Sequence, residues 1–393
     1  MLTAKASKSE LISKTASLET EILIVGGGPA GATAALNLAP LRRVLLVERE
    51  AVSRLRIGES LVPAARRLLA DMGLLESFLQ EGHQPWFGKR MVWGNPELQE
   101  VDFLRDLDGP GWHLNRARFE QWLLDQAQEA GATLLRPATL DTLEHDGHRW
   151  RVRLQTASGS RLLTADVVLD AGGRAAPVAR KLGLHARRSD RLICLWGYGR
   201  DTQDCGRGLT YVEAVAQGWW YTAPLPGCRR VLAFHTDADL PAARTLREEQ
   251  SRLDGLSGGI TATGELARLL ADVGFAPEPE RGVTAAHSAH LESPAGTLEK
   301  TEGFSGASAA WLAVGDAALS FDPLSSQGLL NALFTGLAAA QAVDSHLEGD
   351  DKALLNYSEL IEGIGEAYRR HLSLAYEAEM RWPQAPFWQR RHL

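Results

Sequence analysis

The chain has 393 residues, of which 45% are hydrophobic and 23% are charged, a composition typical of a folded globular protein. Its 42 basic and 49 acidic residues give a net charge of −7, and the basic residues are scattered along the chain. Because the sequence has neither a basic patch nor a long apolar run, it argues against binding to nucleic acid or to a membrane.

The first 18 residues are rich in Lys, Ser and Thr and lack the apolar run of a secretory signal, so we expect a flexible leader over 1–18. The three cysteines, Cys194, Cys205 and Cys228, form no C-x-x-C motif, and we expect them not to pair. Unpaired cysteines are typical of a reducing compartment, so we predict a cytoplasmic protein.

A glycine-rich turn follows the first predicted strand, 21–25. Gly26, Gly28 and Gly31 have the G-x-G-x-x-G spacing, Ala30 lies within the turn, and an alanine-rich helix follows at once. The first glycine allows a sharp turn, the second lets a pyrophosphate approach the main chain, and the third lets the helix pack close to the strand. The free N–H groups at the start of the helix then face the phosphates. This stretch therefore predicts a dinucleotide site.

A second strand, 43–47, ends at Glu48, which lies 20 residues after the second glycine (48 − 28) and suits an acid that binds the adenosine ribose. We include Arg49 and Arg56, which follow this strand, among the cofactor-binding residues. Arg116 precedes a helix that is expected to pack beside the glycine turn, where a guanidinium can neutralise phosphate.

The middle of the chain is dominated by predicted strands. Alternating patterns indicate strands at 89–93, 133–142, 148–155 and 161–169. A strand-rich region follows, with strands at 191–199, 208–215, 218–224 and 230–236 and a charged helical piece at 243–253. The chain then returns through a buried strand at 310–314, a long Ala/Leu helix at 327–347 and an amphipathic helix at 351–380.

A second set of cofactor residues lies near the end of the chain. Gly315 and Asp316 directly follow the returning strand, and a carboxylate there can accept hydrogen bonds from a polyol such as the ribityl chain of FAD. The next helix begins near Gln327 and Gly328, with Leu329 in its first turn. Its positive end would face the negative charge that a reduced isoalloxazine develops. Together with the glycine turn, these residues predict an extended FAD site.

We therefore predict an α/β (α+β overall) protein with a Rossmann-like FAD-binding domain, an inserted, mostly antiparallel β-sheet substrate domain and a C-terminal helical segment. The expected boundaries are 19–85, 105–190 and 286–350 for the discontinuous FAD-binding domain, 86–104 and 191–285 for the substrate domain, and 351–393 for the helical segment.

The order of these motifs resembles that of FAD-dependent aromatic hydroxylases. Three segments, 58–60, 170–174 and the F-x-P-x-S-x-x-G run at 321–328, look like motifs of flavin-dependent halogenases. The halogenase W-x-W-x-I-P signature is present only as W-W-Y-T-A-P at 219–224. The halogenase active-site lysine is expected a few residues before a Trp-Gly pair, where Trp86 stands in this chain.

A closer resemblance is to the flavoproteins that mature tryptophylquinone enzymes. These flavoproteins serve lysine ε-oxidase and glycine oxidase, or hydroxylate a peptidyl tryptophan of quinohemoprotein amine dehydrogenase. The resemblance extends from about 20 to 391 and is carried by the segments 212–226, 321–328 and 381–388. It implies an FAD-dependent monooxygenase that hydroxylates a tryptophan side chain in a partner polypeptide by way of a flavin C4a-hydroperoxide. The implied partners are that precursor polypeptide, O2, and a flavin reductase or NAD(P)H.

Glu59 is the preferred acid/base candidate, because a carboxylate in a dry cleft often has a pKa suited to proton transfer. Tyr221, Asp322 and His287 are further catalytic candidates. Four tryptophans are expected to line the substrate cavity, namely Trp86, Trp93, Trp219 and Trp220. We expect no metal site, because His287 and His290 have no accompanying Cys or acid cluster.

Two alternatives remain open. The first is a flavin-dependent halogenase or hydroxylase of a small aromatic metabolite. The second is an FAD-binding maturation factor without oxygenase activity. The sequence has no second G-x-G-x-x-G for a dedicated NAD(P)H domain, so we expect reduction by transient nicotinamide binding or by a separate flavin reductase. The A-G-G-R run at 171–174 resembles the halogenase version, and we therefore favour the separate reductase.

Overall fold

The computed structural model describes residues 18–103, 106–205, 208–245, 264–297 and 309–392. The predicted leader, apart from its last residue, lies outside the described residues, as does most of the predicted helical piece at 243–253.

A six-stranded sheet forms the centre of the first layer. Five of its strands are parallel, and the sixth, at one edge, is antiparallel. Four of the parallel strands are fully buried, whereas the parallel strand at the other edge, 133–135, is partly exposed. Runs of Val, Leu and Ile suit such strands, because helices cover both faces of a parallel sheet. In spatial order they are β21 (Ala295–Thr297), β22 (Ala310–Ala313), β13 (Val167–Asp170), β2 (Ile22–Val25), β3 (Val44–Val47) and β9 (Thr133–Leu135).

The helices cover this sheet and the C-terminal side of the molecule. Their bounds are α1 (Pro29–Leu38), α2 (Ala65–Asp71), α3 (Leu75–Leu79), α4 (Arg116–Glu129), α5 (Pro177–Lys181), α6 (Gly264–Asp272), α7 (Gly328–Leu347), α8 (Ala353–Glu377) and α9 (Pro386–Gln389). Helix α7 packs very close to α1, because a Cβ added at Gly336 would lie 2.5 Å from the carbonyl oxygen of Ala30. Small residues at this crossing bring the start of α7 near the glycine turn.

A seven-stranded sheet forms the second layer. It is antiparallel except for one parallel pair, β16 (Leu209–Val215) with β6 (Gly88–Val92). In spatial order its strands are β19 (Phe275–Ala285), β15 (Leu192–Asp201), β18 (Arg229–Asp237), β17 (Gly218–Leu225), β16 (Leu209–Val215), β6 (Gly88–Val92) and β7 (Gln99–Asp102). The strands β6 and β7, from the predicted substrate-domain segment 86–104, therefore lie in one sheet with the strands that follow residue 190.

Three smaller sheets complete the fold. The first holds β1 (Leu18–Glu19), β12 (Gly159–Ala165), β11 (Trp150–Thr156) and β10 (Ala138–His145). The second holds β14 (Arg187–Arg188), β20 (Ala289–His290) and β23 (Leu319–Ser320), and the third holds β4 (Ser60–Leu61), β8 (Gly111–His113) and β5 (Gln84–Trp86).

This architecture confirms the predicted fold class. Two predicted strands are divided, however. The predicted strand 133–142 is interrupted at Pro137, because proline has no backbone N–H to donate to the hydrogen bonds of a sheet. The run at 161–169 separates at Asp166 into β12 and β13, which belong to different sheets. Hydrophobic alternation alone did not distinguish one long strand from two.

The expectation that the cysteines do not pair is wrong. Cys205 and Cys228 form a disulfide with their Cα atoms 4.7 Å apart, and Cys194 is the free cysteine. The pair could not be predicted from the sequence, because the two cysteines are 23 positions apart and meet only where the ends of β15 and β18 pair. The cysteines therefore give no support to the predicted cytoplasmic location.

A buried ion pair near this disulfide should matter for stability. The guanidinium Nε of Arg230 lies 2.9 Å from Asp201 Oδ1, and the two side chains are 3% and 0% exposed. We expect Asp201→Ala to lower the free energy of unfolding by about 3–5 kcal/mol, because it leaves a buried guanidinium unpaired. Urea unfolding followed by tryptophan fluorescence measures this loss.

Glu265→Ala is the matched control. It breaks the exposed Arg268–Glu265 pair, whose 2.7 Å separation is similar, and should cost less than about 1 kcal/mol. Equal losses in the two variants would show that burial of the first pair has no energetic consequence.

Candidate active site

A cavity of about 480 Å³ lies where the carboxyl ends of the parallel strands meet one face of the seven-stranded sheet. This is the edge of a doubly wound sheet at which ligands bind. The predicted site residues that line it are Gly26, Gly28, Ala30, Glu48, Arg49, Arg56, Glu59, Arg116, Tyr221, Asp316, Asp322, Gly328 and Leu329.

The glycine turn has the geometry that its spacing predicts. Gly26 has φ +115°, and a Cβ added there would lie 2.3 Å from the carbonyl oxygen of Ala171. A Cβ at Gly31 would lie 1.9 Å from the carbonyl oxygen of Gly26, so only glycine allows this packing. By contrast, a Cβ at Gly28 would meet no atom within 4 Å and would enter the cavity. The second glycine therefore leaves room for a ligand.

Charged groups surround the end of the cavity next to this turn. The carboxylate of Glu48 accepts hydrogen bonds from the backbone N–H of Gly27 at 2.7 Å and of Glu50 at 2.9 Å. Arg116 donates from Nη1 to the Gly58 carbonyl at 2.7 Å, and its Nη2 pairs with Glu120 at 2.5 Å. The buried Nε of Arg116 meets no acceptor among the described residues. An unpaired guanidinium N–H on a residue that lines the cavity is compatible with an anionic ligand.

Asp316 is held by a residue that we did not predict as part of the site. Arg174 donates from Nη1 to Asp316 Oδ2 at 2.7 Å and from Nη2 to the Phe321 carbonyl at 2.9 Å. Arg174 is the last residue of the 170–174 motif. The sequence analysis identified this motif but assigned no role to the Arg174 side chain. The pair joins the strand end at Asp316 to the segment before α7.

Glu59 also lines the cavity and is 1% exposed. Its carboxylate accepts hydrogen bonds from the Tyr198 hydroxyl at 2.5 Å and from the Gly58 N–H at 2.8 Å. Burial raises the pKa of Glu59, although these two donors and the charge of Arg116 act in the opposite direction. A buried carboxyl whose pKa is raised in this way can hold or accept a proton in a reaction.

Side chains from the seven-stranded sheet face Glu59. Tyr221 shares a 2.9 Å hydrogen bond with Ser60, and burial raises its pKa. His235 and Cys194 are directly opposite each other on β18 and β15 and both line the cavity. Burial lowers the pKa of His235 to about 3, so its imidazole is neutral, and its Nδ1 has no partner among the described atoms.

Asp322 is fixed by two tyrosines of α8. Its carboxylate accepts from the Leu324 N–H at 2.9 Å and from the Tyr376 hydroxyl at 2.7 Å, while its own N–H donates to Tyr368 at 2.7 Å. Desolvation raises the pKa of Asp322 to about 6. The C-terminal helix thus determines where this carboxyl lies in the cavity.

The raised pKa of Asp322 predicts a pH-dependent stability difference. The folded state favours the protonated form, so this stabilisation is complete below the usual pKa of 3.8 and is lost as the pH rises through about 6. Between pH 4 and 6, the free energy of unfolding of the native chain should fall relative to that of Asp322→Asn by up to about 3 kcal/mol. Urea unfolding of both proteins at pH 4, 5, 6 and 7 measures the difference, and parallel curves would contradict it.

The four tryptophans that were expected to line the cavity are placed elsewhere. Trp86 stacks on His113 and Trp93 donates to the Ala375 carbonyl at 2.7 Å, both away from the cavity lining. Trp219 lies behind the wall, because it stacks on His235 at 3.6 Å. Trp220 packs against Phe234 on the other face of the sheet, since successive strand residues point to opposite faces. Among the described residues, the aromatic side chains that line the cavity are Tyr221, His235 and Phe321.

Four other predicted site residues lie outside the lining. Gly31 and Gly315 shape the backbone beside the cavity, and Gly315 has φ +57°. Gln327 lines a second cavity on the far side of the segment before α7. His287 is half-buried, and its pKa is lowered by burial and by Arg188. It follows Ala286, which lines the cavity, but does not itself belong to the lining, and its catalytic role stays a prediction.

Tyr198, His235, Cys194 and Arg174 line or complete the site and were missed by sequence reasoning. One signal was present: Cys194, Trp196 and Tyr198 alternate on β15, so one face of that strand was predictable.

Within the described residues, no group of three or more His, Cys, Asp or Glu side chains is arranged to hold a metal. No helix in the described parts of the chain is long and apolar enough to cross a membrane.

Comparisons with known proteins agree with this geometry. A family profile described as an FAD binding domain matches residues 19–198. A protein of Marinomonas mediterranea assigned as an FAD-dependent oxidoreductase, LodB, is 31% identical over 380 residues, which cover 95% of this chain and 96% of that protein. Tryptophan 2-halogenase of Chondromyces crocatus is 28% identical over 345 residues, and the match covers 84% of this chain but only 62% of the halogenase.

Solved structures show the same fold. The flavin-dependent halogenase CmlS has a TM-score of 0.82 at 25% identity, covering 95% of this chain and 68% of that one. The peptidyl tryptophan dihydroxylase QhpG, which is essential for tryptophylquinone cofactor biogenesis, has a TM-score of 0.72 at 24% identity, covering 95% of this chain and 78% of that one.

The chain belongs to the family of FAD-dependent oxidoreductases that includes flavin-dependent halogenases and monooxygenases. It is an enzyme of this class with FAD as its cofactor. The site residues fit that cofactor, because Gly28 leaves space beside the helix N-terminus and Arg116 offers a buried donor.

Proposed function

We propose that this enzyme uses reduced FAD and O2 to halogenate or hydroxylate a small, electron-rich aromatic ring. The observation that carries the proposal is the buried carboxyl of Glu59, which lines the cavity together with Tyr221. The halogenases among the relatives favour a small aromatic substrate over a protein-bound tryptophan.

Bound FAD would supply the redox chemistry, and the chain would supply orientation, exclusion of water and proton transfer. The glycine turn and Glu48 would hold the adenosine half. Asp316, fixed by Arg174, and the N-terminus of α7 would hold the half that carries the isoalloxazine.

Glu59 would act on the substrate ring. When a ring carbon forms a new bond to oxygen or halogen, it must lose its proton to restore aromaticity, and the Glu59 carboxylate can take that proton. Because burial raises the pKa of Glu59, its carboxylate is a stronger base than an exposed one. Tyr198 would hold this carboxyl in place, and the Ser60–Tyr221 hydroxyl pair would orient a polar substituent.

Hydroxylation of a tryptophan side chain in a precursor polypeptide is the second candidate. The resemblance to halogenases implies an active-site lysine, but no lysine is among the described residues that line the cavity. This difference favours the second candidate over halogenation. Trp86 stands at the expected position, and Lys89 lies on β6, outside that lining. The near-complete overlap with the Marinomonas oxidoreductase and the shared fold with the tryptophan dihydroxylase are consistent with this candidate.

One assay distinguishes the two candidates. FAD, a flavin reductase with NADH, and O2 are supplied to the enzyme together with indole, phenol or pyrrole, with and without bromide. A parallel reaction contains a tryptophan-bearing polypeptide that copurifies with the enzyme. Products are analysed by mass spectrometry.

Bromination or oxygenation of a small ring supports the first candidate. Oxygen added only to a tryptophan of the polypeptide rejects it in favour of the second. A reductase is included because a separate source of electrons is part of the proposal. The sequence has a single glycine turn of the dinucleotide-binding kind.

A further inference from the structure

Tyr198 connects the buried carboxyl of Glu59 with a charged cluster at the margin of the seven-stranded sheet. Its side chain belongs to the core and is 1% exposed. The hydroxyl donates to Glu59 Oε1 at 2.5 Å, and the Cζ atom of the Arg229 guanidinium lies 4.9 Å from the centroid of the ring. The ring therefore contacts a carboxyl through its hydroxyl and a cation through its face.

Arg229 is held over this ring by its neighbours. It lies on β18 two residues before Val231, which pairs with Tyr198 of β15, so both side chains point to the same face of the sheet. Glu278 of β19 accepts hydrogen bonds from Arg229 Nε at 3.0 Å and from Nη2 at 2.7 Å. These two side chains are only 25% and 19% exposed, which limits their screening by solvent.

The cluster keeps a net positive charge. Glu278 also pairs with Arg200, whose Nε lies 2.9 Å from Glu278 Oε1. One acid thus faces two guanidinium groups. Among the described residues, Arg229 is the cation that lies over the Tyr198 ring, whereas the side chain of Arg200 is 61% exposed.

This cation strengthens the hydrogen bond that the hydroxyl donates. A cation over an aromatic face is attracted by the negative face of the ring and polarises it. Burial and the charge of Glu59 raise the pKa of Tyr198, whereas Arg116 and Arg229 lower it. Because a stronger donor favours the charged form of its acceptor, Arg229 stabilises the carboxylate of Glu59 through the ring.

The other groups that face Glu59 act on it separately. Arg116 of α4 attracts the carboxylate directly, and the Gly58 N–H donates to it at 2.8 Å. Tyr221 and Cys194 are neutral, because burial raises the pKa of both side chains. Tyr198 therefore connects the charge at the margin of the sheet to this carboxylate.

We propose that Arg229 is a positioning residue that fixes the Tyr198 ring and thereby keeps Glu59 ionised and oriented to accept the proton of the substrate ring. This proposal rests on the proposed function, because it assigns Glu59 as the proton acceptor. Arg229 itself lies outside the cavity lining and touches neither substrate nor cofactor.

The test is a pH titration of the Glu59 carboxyl in the FAD-loaded enzyme by carbon NMR with ¹³C-labelled glutamate. The Glu59 signal is the one that is missing in Glu59→Gln. Arg229→Gln should move the midpoint of this titration to higher pH by about 0.5 to 1 pH unit, because the carboxylate loses stabilisation. Arg229→Lys retains a cation and should restore most of the native midpoint.

Arg200→Gln is the matched control. It removes a guanidinium from the same Glu278 carboxylate but leaves the cation over the ring, so the midpoint should stay native. A second comparison is made in Tyr198→Phe, which has no hydroxyl to donate. In that background, adding Arg229→Gln should have little further effect, because the two residues act through one hydrogen bond.

Product formation from indole is measured over the same pH range. In Arg229→Gln the decline in rate on the acid side should move to higher pH together with the Glu59 midpoint, since a protonated carboxyl cannot accept the ring proton.

An unchanged Glu59 midpoint in Arg229→Gln would overturn the proposal. An equal change in Arg200→Gln, or an undiminished change in the Tyr198→Phe background, would also overturn it, because the effect would then not pass through the Tyr198 hydroxyl. A change confined to Arg229→Gln and rescued by Arg229→Lys supports the proposal. If that change is seen but no ring gives a product in any variant, the proposed function fails while the effect of Arg229 on Glu59 is retained.

Discussion

Glu59→Gln is expected to lower the rate of product formation by about 10²- to 10⁴-fold, the usual contribution of a positioned acid or base. Glutamine has nearly the same shape and can still accept the hydrogen bond from Tyr198, but it cannot take a proton from the ring. Binding of FAD should be unchanged, because the substitution leaves the glycine turn and Glu48 intact. Product yield per reduced FAD, with hydrogen peroxide measured in parallel, checks this expectation.

Glu213→Gln is the matched control for that prediction. Glu213 is also a buried carboxyl with a tyrosine partner, Tyr211, but it does not line the cavity. The control should keep native product yield. Native yield in Glu59→Gln, or equal losses in both variants, would remove Glu59 from the proposed proton transfer.

Gly28→Ala is expected to weaken FAD binding by about 100-fold, which corresponds to about 3 kcal/mol. Its Cβ would occupy space that a pyrophosphate needs when it approaches the main chain. The same Cβ meets no protein atom within 4 Å, so the stability of the FAD-free protein should be unchanged. Fluorescence titration with FAD and thermal unfolding without FAD measure these two quantities separately.

Two further glycines serve as comparisons for Gly28. Gly363→Ala, at an exposed position of α8, also introduces a Cβ into open space and should leave FAD binding intact. Gly31→Ala should instead destabilise the fold, because its Cβ would collide with the Gly26 carbonyl. If Gly28→Ala unfolds the FAD-free protein, or binds FAD normally, the assignment of this glycine to the phosphate site is wrong.

The nucleotide end of the site was predictable because its signals are local. Strand, glycine turn, helix and Glu48 lie within about 30 residues, and each glycine has a steric reason that spacing alone reveals. The Gly315–Asp316 pair was found for a similar reason, since it directly follows a buried strand. These residues lie at the carboxyl ends of parallel strands, which always meet at one edge of a sheet.

The substrate end was less predictable because it depends on contacts between distant segments. Tyr198 reaches Glu59 across 139 positions, and Tyr376 reaches Asp322 across 54. Trp220 was predicted to line the cavity, but side chains alternate between the two faces of a strand, which puts Trp220 on the opposite face from Tyr221. No such pattern identified His235, whose neighbours on the adjacent strands determine where it faces.

The central claim is that this enzyme couples reduced FAD and O2 to modification of an aromatic ring. The most direct measurement is a reaction under ¹⁸O2 with the FAD-loaded enzyme, a flavin reductase, bromide and indole, analysed by mass spectrometry. We predict an indole product that has gained one ¹⁸O atom or in which bromine replaces a ring hydrogen, and no product without FAD. Reoxidation of the bound FAD with release of an equal amount of hydrogen peroxide, and with no change to indole, other small aromatic rings or a copurifying polypeptide, would contradict the claim.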